Sequence, residues 1–81
     1  MFQNIKPSRT LDCLGLYCPE PIFRIRLELD KLRVGEILEV FADDPAAEED
    51  IKSFAKRTGN YILEISKKGN FTRFLIRKDK K

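Results

Sequence analysis

The sequence predicts a two-layer α/β sandwich of the α+β kind, with elements in the order β-α-β-α-β-β, a four-stranded mixed sheet and two helices on one face. Three observations carry that expectation. Two segments repeat apolar residues at helical spacing, and four shorter ones are apolar or alternate as strands do. Turn-forming residues, among them Gly15, Gly35, Pro45, Gly59 and Gly69, fall between these segments. Finally, 81 residues with 42% hydrophobic content and six phenylalanines suffice for one core without metals or multiple disulfides, and in practice exclude two domains.

Residues 1–8 are polar around Pro7 and read as a flexible arm; a single domain is expected over 9–78, followed by a basic tail at 79–81. Thr10 to Cys13 alternates, so Cys13 should share the buried face with Leu11. Leu14 to Tyr17 forms a loop punctuated by Gly15. The first helix is expected from Pro19 to about Arg33, with Ile22, Ile25, Leu29 and Leu32 on one face and Phe23 and Leu27 widening the stripe. Gly35 ends it. Glu36 to Ala42 reads as a central strand, because Ile37 and Phe41 suggest partial cover on the face opposite Leu38 and Val40.

Asp44 is suited to cap a second helix, and Pro45 to its first position. That helix should run to Thr58 and bury Ala47, Ile51, Phe54 and Ala55, with Lys56 and Arg57 complementing its dipole and Gly59 stopping it. Tyr61 to Ser66 and Phe71 to Arg77 alternate, and Lys67-Lys68-Gly69-Asn70 supplies a hairpin turn between them. A right-handed crossover between the first two strands places the first helix on the same face as the second.

Chemistry points to Cys18, the residue before a helix opening Pro19-Glu20-Pro21. A thiolate is the reactive form of cysteine, and the amides and dipole of a helix start favour negative charge. With Cys18 as the cap, the two prolines delete two amide donors, leaving Glu20 to bond the sulfur. Such a start favours a fixed sulfur over an anion cradle and argues against phosphate binding. Glu20 should raise the thiol's pKa and Arg24 lower it, with the net sign open. The bland alternative is an ordinary half-buried cysteine at a helix start.

The chain has no histidine, which removes Cys-His dyads and the usual zinc and haem ligand sets; no cofactor and no metal site are expected. Sulfur exchange without a general base remains. Cys13 reads first as core packing and second as a redox partner of Cys18. Asp43 and Asp44 read as capping residues or an acid pair, and Arg24 and Arg26 as a docking patch or a solvated face with Arg26 paired to Asp30. No stretch resembles a signal peptide or is long enough to cross a bilayer, so the expected compartment is the cytoplasm, where both thiols stay reduced.

Leu11, Asp12, Gly15, Leu16, Cys18, Pro19 and Pro21 resemble the N-terminal signature of the TusA/SirA-like family of small sulfur carriers, and Asp43-Asp44-Pro45-Ala46 resembles a second block of it. The similarity spans about residues 10–78, with Arg73-Phe74-Leu75-Ile76-Arg77-Lys78 resembling the TusA-like members at the C-terminal end. The resemblance implies the same sandwich and a persulfide on Cys18. It also implies a cysteine desulfurase or other persulfide donor, and an acceptor such as a DsrE-like relay protein or a thiouridylase, on a route toward tRNA 2-thiouridine in some members. Gly15, Pro19, Glu20 and Pro21 would position the sulfur; Arg24, Arg26 and Asp43 are candidates for partner docking. Cys13 lies outside the signature, and Leu27 and Asp30 make the first helix less basic than in TusA-like carriers.

Two other readings stand beside a sulfur carrier that is monomeric in isolation. The net charge of +3, the lysine tail and Lys67-Lys68 suit a non-catalytic module binding nucleic acid or protein, although alternation sends Phe74 to the core and makes direct nucleic-acid binding the weaker case. A Cys13/Cys18 redox pair is opposed by the contrary orientations expected of the two side chains.

Overall fold

The computed structural model describes residues 6–79. Its elements are β1 (Arg9–Cys13), α1 (Glu20–Asp30), β2 (Ile37–Ala42), α2 (Ala47–Thr58), β3 (Tyr61–Lys68) and β4 (Phe71–Arg77). The sheet order is β1-β2-β4-β3, with β1 parallel to β2 and the remaining pairs antiparallel. This is the expected mixed sheet with two helices. Most of the expected arm, residues 1–5, and Lys80 and Lys81 of the tail lie outside the described residues; Ser8 donates its amide to Ile37 O.

One core joins the layers. Leu38 and Val40 of β2 and Phe74 and Ile76 of β4 point to the same side by strand alternation, and pack with Ile25, Leu29, Ile51 and Phe54 of the helices. Cys13, Leu38, Val40, Phe74 and Ile76 have no exposed surface. On the opposite face a polar ladder crosses all four strands: Thr10 donates to Glu39, Glu39 pairs with Arg73, and Arg73 reaches Glu64. Phe41 and Phe71 meet edge to face there at 5.8 Å, giving β2 the partial second cover that its sequence suggests.

Ile62 and Ile65 both lean on the core although an odd spacing separates them. A bulge makes this possible, since the register steps from Ile62↔Ile76 to Glu64↔Leu75 and leaves Leu63 as the extra residue. The hairpin is tighter than expected. Lys67 and Lys68 belong to β3, and the turn is Gly69-Asn70 with Gly69 at φ 68°.

The helices are shorter than their apolar patterns. α1 begins at Glu20 and ends at Asp30, and its C-terminal turn is tightened by Leu32 N–H to Leu29 O at 3.0 Å, while Leu32 stays buried. Phe23 and Leu27 are more than half exposed and do not widen the buried stripe, because the sheet contacts only the Ile25–Leu29–Leu32 side. α2 starts at Ala47, after a turn in which Ala47 N–H meets Asp44 O. At its other end Gly59 adopts φ 78°, and Asn60 N–H reaches back to Ala55 O at 2.9 Å, the closing bond of a Schellman motif.

Lys78, the last residue of the expected domain, takes an uncommon place for a lysine. Arg77 belongs to β4, and Lys78 is buried, its backbone bonded to Gly35 and Glu36. Its Nζ donates to Leu29 O at 2.6 Å and to Leu32 O at 2.8 Å. No basic residue occupies the last turn of α1, so the charge and donors for that helix end come from the C-terminal strand instead.

Candidate functional site

The site lies where two connections leave the sheet side by side. β1 and β2 are parallel neighbours ending at the paired residues Cys13 and Ala42, so the β1–α1 and β2–α2 loops emerge at the same edge. The second loop holds the first. Asp43 Oδ1 accepts the Gly15 amide at 3.0 Å, and Asp44 Oδ2 accepts the Cys18 amide at 2.8 Å. Asp44 Oδ1 also accepts from Ala46 N at 3.2 Å, which fixes the turn into α2. Within the first loop Asp12 Oδ1 takes the Leu14 amide, and Gly15 turns the chain at φ 81°, where a side chain would be strained.

Cys18 is exposed and carries no disulfide. It does not cap the helix. Pro19 occupies that position, after a cis Cys18–Pro19 bond, and Glu20 N–H is taken by Tyr17 O at 2.8 Å, so the donor expected for the sulfur is already used. The helix start therefore fails to acidify the thiol. Its pKa is raised, first by a side-chain hydrogen-bond interaction with Asp50, then by burial, and then by the charges of Asp50 and Asp44. Glu20 and Arg24 pair with each other at 3.2 Å, and neither is among the causes acting on Cys18.

Cys13 is fully buried and also unbridged. Burial is the main reason its thiol is pushed up to about 11, with Arg24 opposing and Asp12 and Glu20 assisting. A folded pKa above the ordinary value favours folding while the thiol is protonated, so this contribution fades as pH rises from 9.0 to about 11. Cys13→Ser should abolish that alkaline decline and lower stability by about 1–3 kcal/mol, because a hydroxyl replaces a thiol in apolar surroundings. Urea titrations at pH 7 and at alkaline pH check both effects.

Of the remaining sequence candidates, Pro21 is buried beneath the start of α1, and Arg24 and Arg26 project from its exposed side. Among the described residues no ion pair joins Arg26 to Asp30. Tyr17, the residue before Cys18, is 72% exposed, and Phe23 in the first turn of α1 is 56% exposed. Phe74 is entirely buried and Phe71 is engaged by Phe41, which leaves neither as an open platform for a base. Asp50 was missing from the sequence candidates. Its signal was spacing: three residues after buried Ala47 and four before buried Phe54, it lies on the inward flank of α2.

The fold and the site define a small α/β domain that presents one exposed thiol on a braced loop. The chain belongs to the TusA family: the family described as Sulfurtransferase TusA matches residues 9–78. The sulfur carrier protein TusA of Allochromatium vinosum is 43% identical over 71 residues, covering 88% of this chain and 93% of the relative. A protein of Archaeoglobus fulgidus that bears a sulfur-carrier name is 46% identical over 70 residues, 85% of this chain and 91% of its own. In fold, a SirA-like protein from Desulfitobacterium hafniense superposes with a TM-score of 0.78 at 23% identity, over 90% of this chain and all of the other. The chain is thus a member of a sulfur-carrier family. None of the helices in the described residues is long and apolar enough to cross a membrane.

Proposed function

We propose that Cys18 accepts a sulfane sulfur as a persulfide and hands it to an acceptor thiol on a second protein. The observation that carries this reading is an exposed, unbridged Cys18 whose own amide is tied to Asp44. Sulfur transfer asks a carrier for one accessible soft nucleophile, held in place, and for surface where partners dock. Exposed Tyr17, Phe23, Arg24 and Arg26 supply mixed apolar and cationic surface around it, and Asp43 lies in the bracing loop. A cysteine desulfurase is the proposed donor and a DsrE-like protein or a thiouridylase the acceptor, within the cytoplasm, with tRNA 2-thiouridine formation as the destination.

Incubation with a cysteine desulfurase and cysteine should add one sulfur atom to the intact mass of the wild-type chain. Cys18→Ser should gain none, while Cys13→Ser should load normally. Sulfur retained by the Cys18 variant would exclude this residue as the carrier.

A further inference from the structure

Lys78, the only buried charged side chain among the described residues, borders a cleft of about 160 Å³ between the C-terminal ends of α1 and α2. One wall of that cleft is fixed by its own bonds. Thr58 Oγ1 donates to Phe54 O at 2.8 Å, Asn60 Nδ2 donates to Thr58 Oγ1 at 2.9 Å, and Asn60 Oδ1 accepts the Asp79 amide at 3.0 Å. Buried Leu29 and Phe54 add apolar lining.

The charged groups of the lining are less fully engaged. Lys78 Nζ gives two of its three hydrogens to Leu29 O and Leu32 O, and no protein group among the described residues accepts the third. Arg26 and Asp30 also line the cleft, one turn apart on α1 and spaced to pair with each other. Among the described residues neither makes an ion pair or a side-chain hydrogen bond. Two cations and a carboxylate thus border one small cavity with bonding capacity to spare, and a buried donor rarely goes without a partner in native structures.

The mixture of signs selects the ligand. A carboxylate alone would suit Lys78 and Arg26 but face Asp30, and an amine alone would suit Asp30 but face the two cations. A phosphate dianion would be opposed by Asp30 and by the carbonyl end of α1. A zwitterion satisfies all three groups. The volume lies below the about 300–1,000 Å³ of ordinary ligand sites, so the occupant is small.

We propose that this cleft binds a free α-amino acid with a small apolar side chain, its carboxylate held by Lys78 and Arg26, its ammonium by Asp30, and its side chain against Leu29 and Phe54. The site is separate from the sulfur. Lys78 follows Arg77, which pairs with Ile37 at the start of β2, whereas the Cys18 loop emerges beside Ala42 at the end of that strand. The inference is therefore independent of the persulfide reading.

L-valine, titrated at constant ionic strength into the isotope-labelled full chain, is the probe. The amide resonances of Leu29 to Leu32, Thr58 to Asn60 and Lys78 should move along one saturating curve with a millimolar Kd. Isovalerate, which lacks the ammonium, and isobutylamine, which lacks the carboxylate, should each bind about tenfold more weakly. Arg26→Gln and Asp30→Asn, at exposed positions outside the core, should each weaken valine binding by a similar factor. Shifts that do not saturate, coincident curves for valine and isovalerate, or undiminished binding in both folded variants would overturn the proposal.

Discussion

Asp44→Ala should loosen the Cys18 loop and weaken the start of α2 in one change. The carboxylate accepts the Cys18 amide on one oxygen and the Ala46 amide on the other, so alanine strands two donors belonging to two different connections. Hydrogen bonds to a carboxylate contribute about 1–2 kcal/mol each once reduced by solvent access, and the combined loss should be about 1–3 kcal/mol in a urea titration. The functional loss should exceed the stability loss. Cys18 would keep its thiol but lose the amide anchor, and a misplaced nucleophile lowers transfer even in fully folded protein. Asp44→Asn, whose single carbonyl oxygen can serve the two amides only poorly, should fall between wild type and alanine. Loading assayed under conditions where both variants remain folded separates positioning from stability; equal loading by wild type and Asp44→Ala would show that the anchor is dispensable.

The pairing of Asp44 with Cys18 shows what could be read from the chain and what could not. Cys18 itself, the order of elements and the burial of Cys13, Ile51 and Phe74 follow from local signals: alternation, helical spacing, and glycines or prolines between runs. The bonds from Asp43 to Gly15 and from Asp44 to Cys18 link residues 28 and 26 positions apart. They exist because two parallel strands end in register, a fact that belongs to pairing and not to any window of sequence. For the same reason the reading of Cys18 as a helix cap failed. The sequence displays one amide left over by the prolines, whereas the fold gives that amide to Tyr17 O. The sign of the thiol's shift stays open in the sequence, and in the fold the carboxyl groups of Asp50 and Asp44 raise it.

Lys78 poses the same problem at the other end of the molecule, with a larger expected effect on stability. The sequence keeps Lys78 inside the expected domain, yet a lysine next to Asp79-Lys80-Lys81 carries no local mark of burial. In the fold its ammonium instead donates to Leu29 O and Leu32 O, carbonyls at and just past the end of a helix whose last turn has no basic residue. The negative end of the helix dipole and two carbonyl acceptors together offset the cost of hiding the charge. Lys78→Met preserves much of the apolar stem and removes the ammonium, leaving both carbonyls short of a donor. The expected loss is about 2–3 kcal/mol, equivalent to about 10–20 °C in melting temperature for a domain of this size. Lys78→Arg should lose less, because a guanidinium keeps the charge and several donors but not the compact fit. The damage should be spatially selective, appearing in amide exchange as early opening of Leu29 to Glu36 while the Cys18 loop, anchored by Asp43 and Asp44, stays protected. Sulfur loading at a temperature where the variant remains folded should then match wild type, which would place Lys78 among the groups that hold the sandwich together and apart from those that present the sulfur.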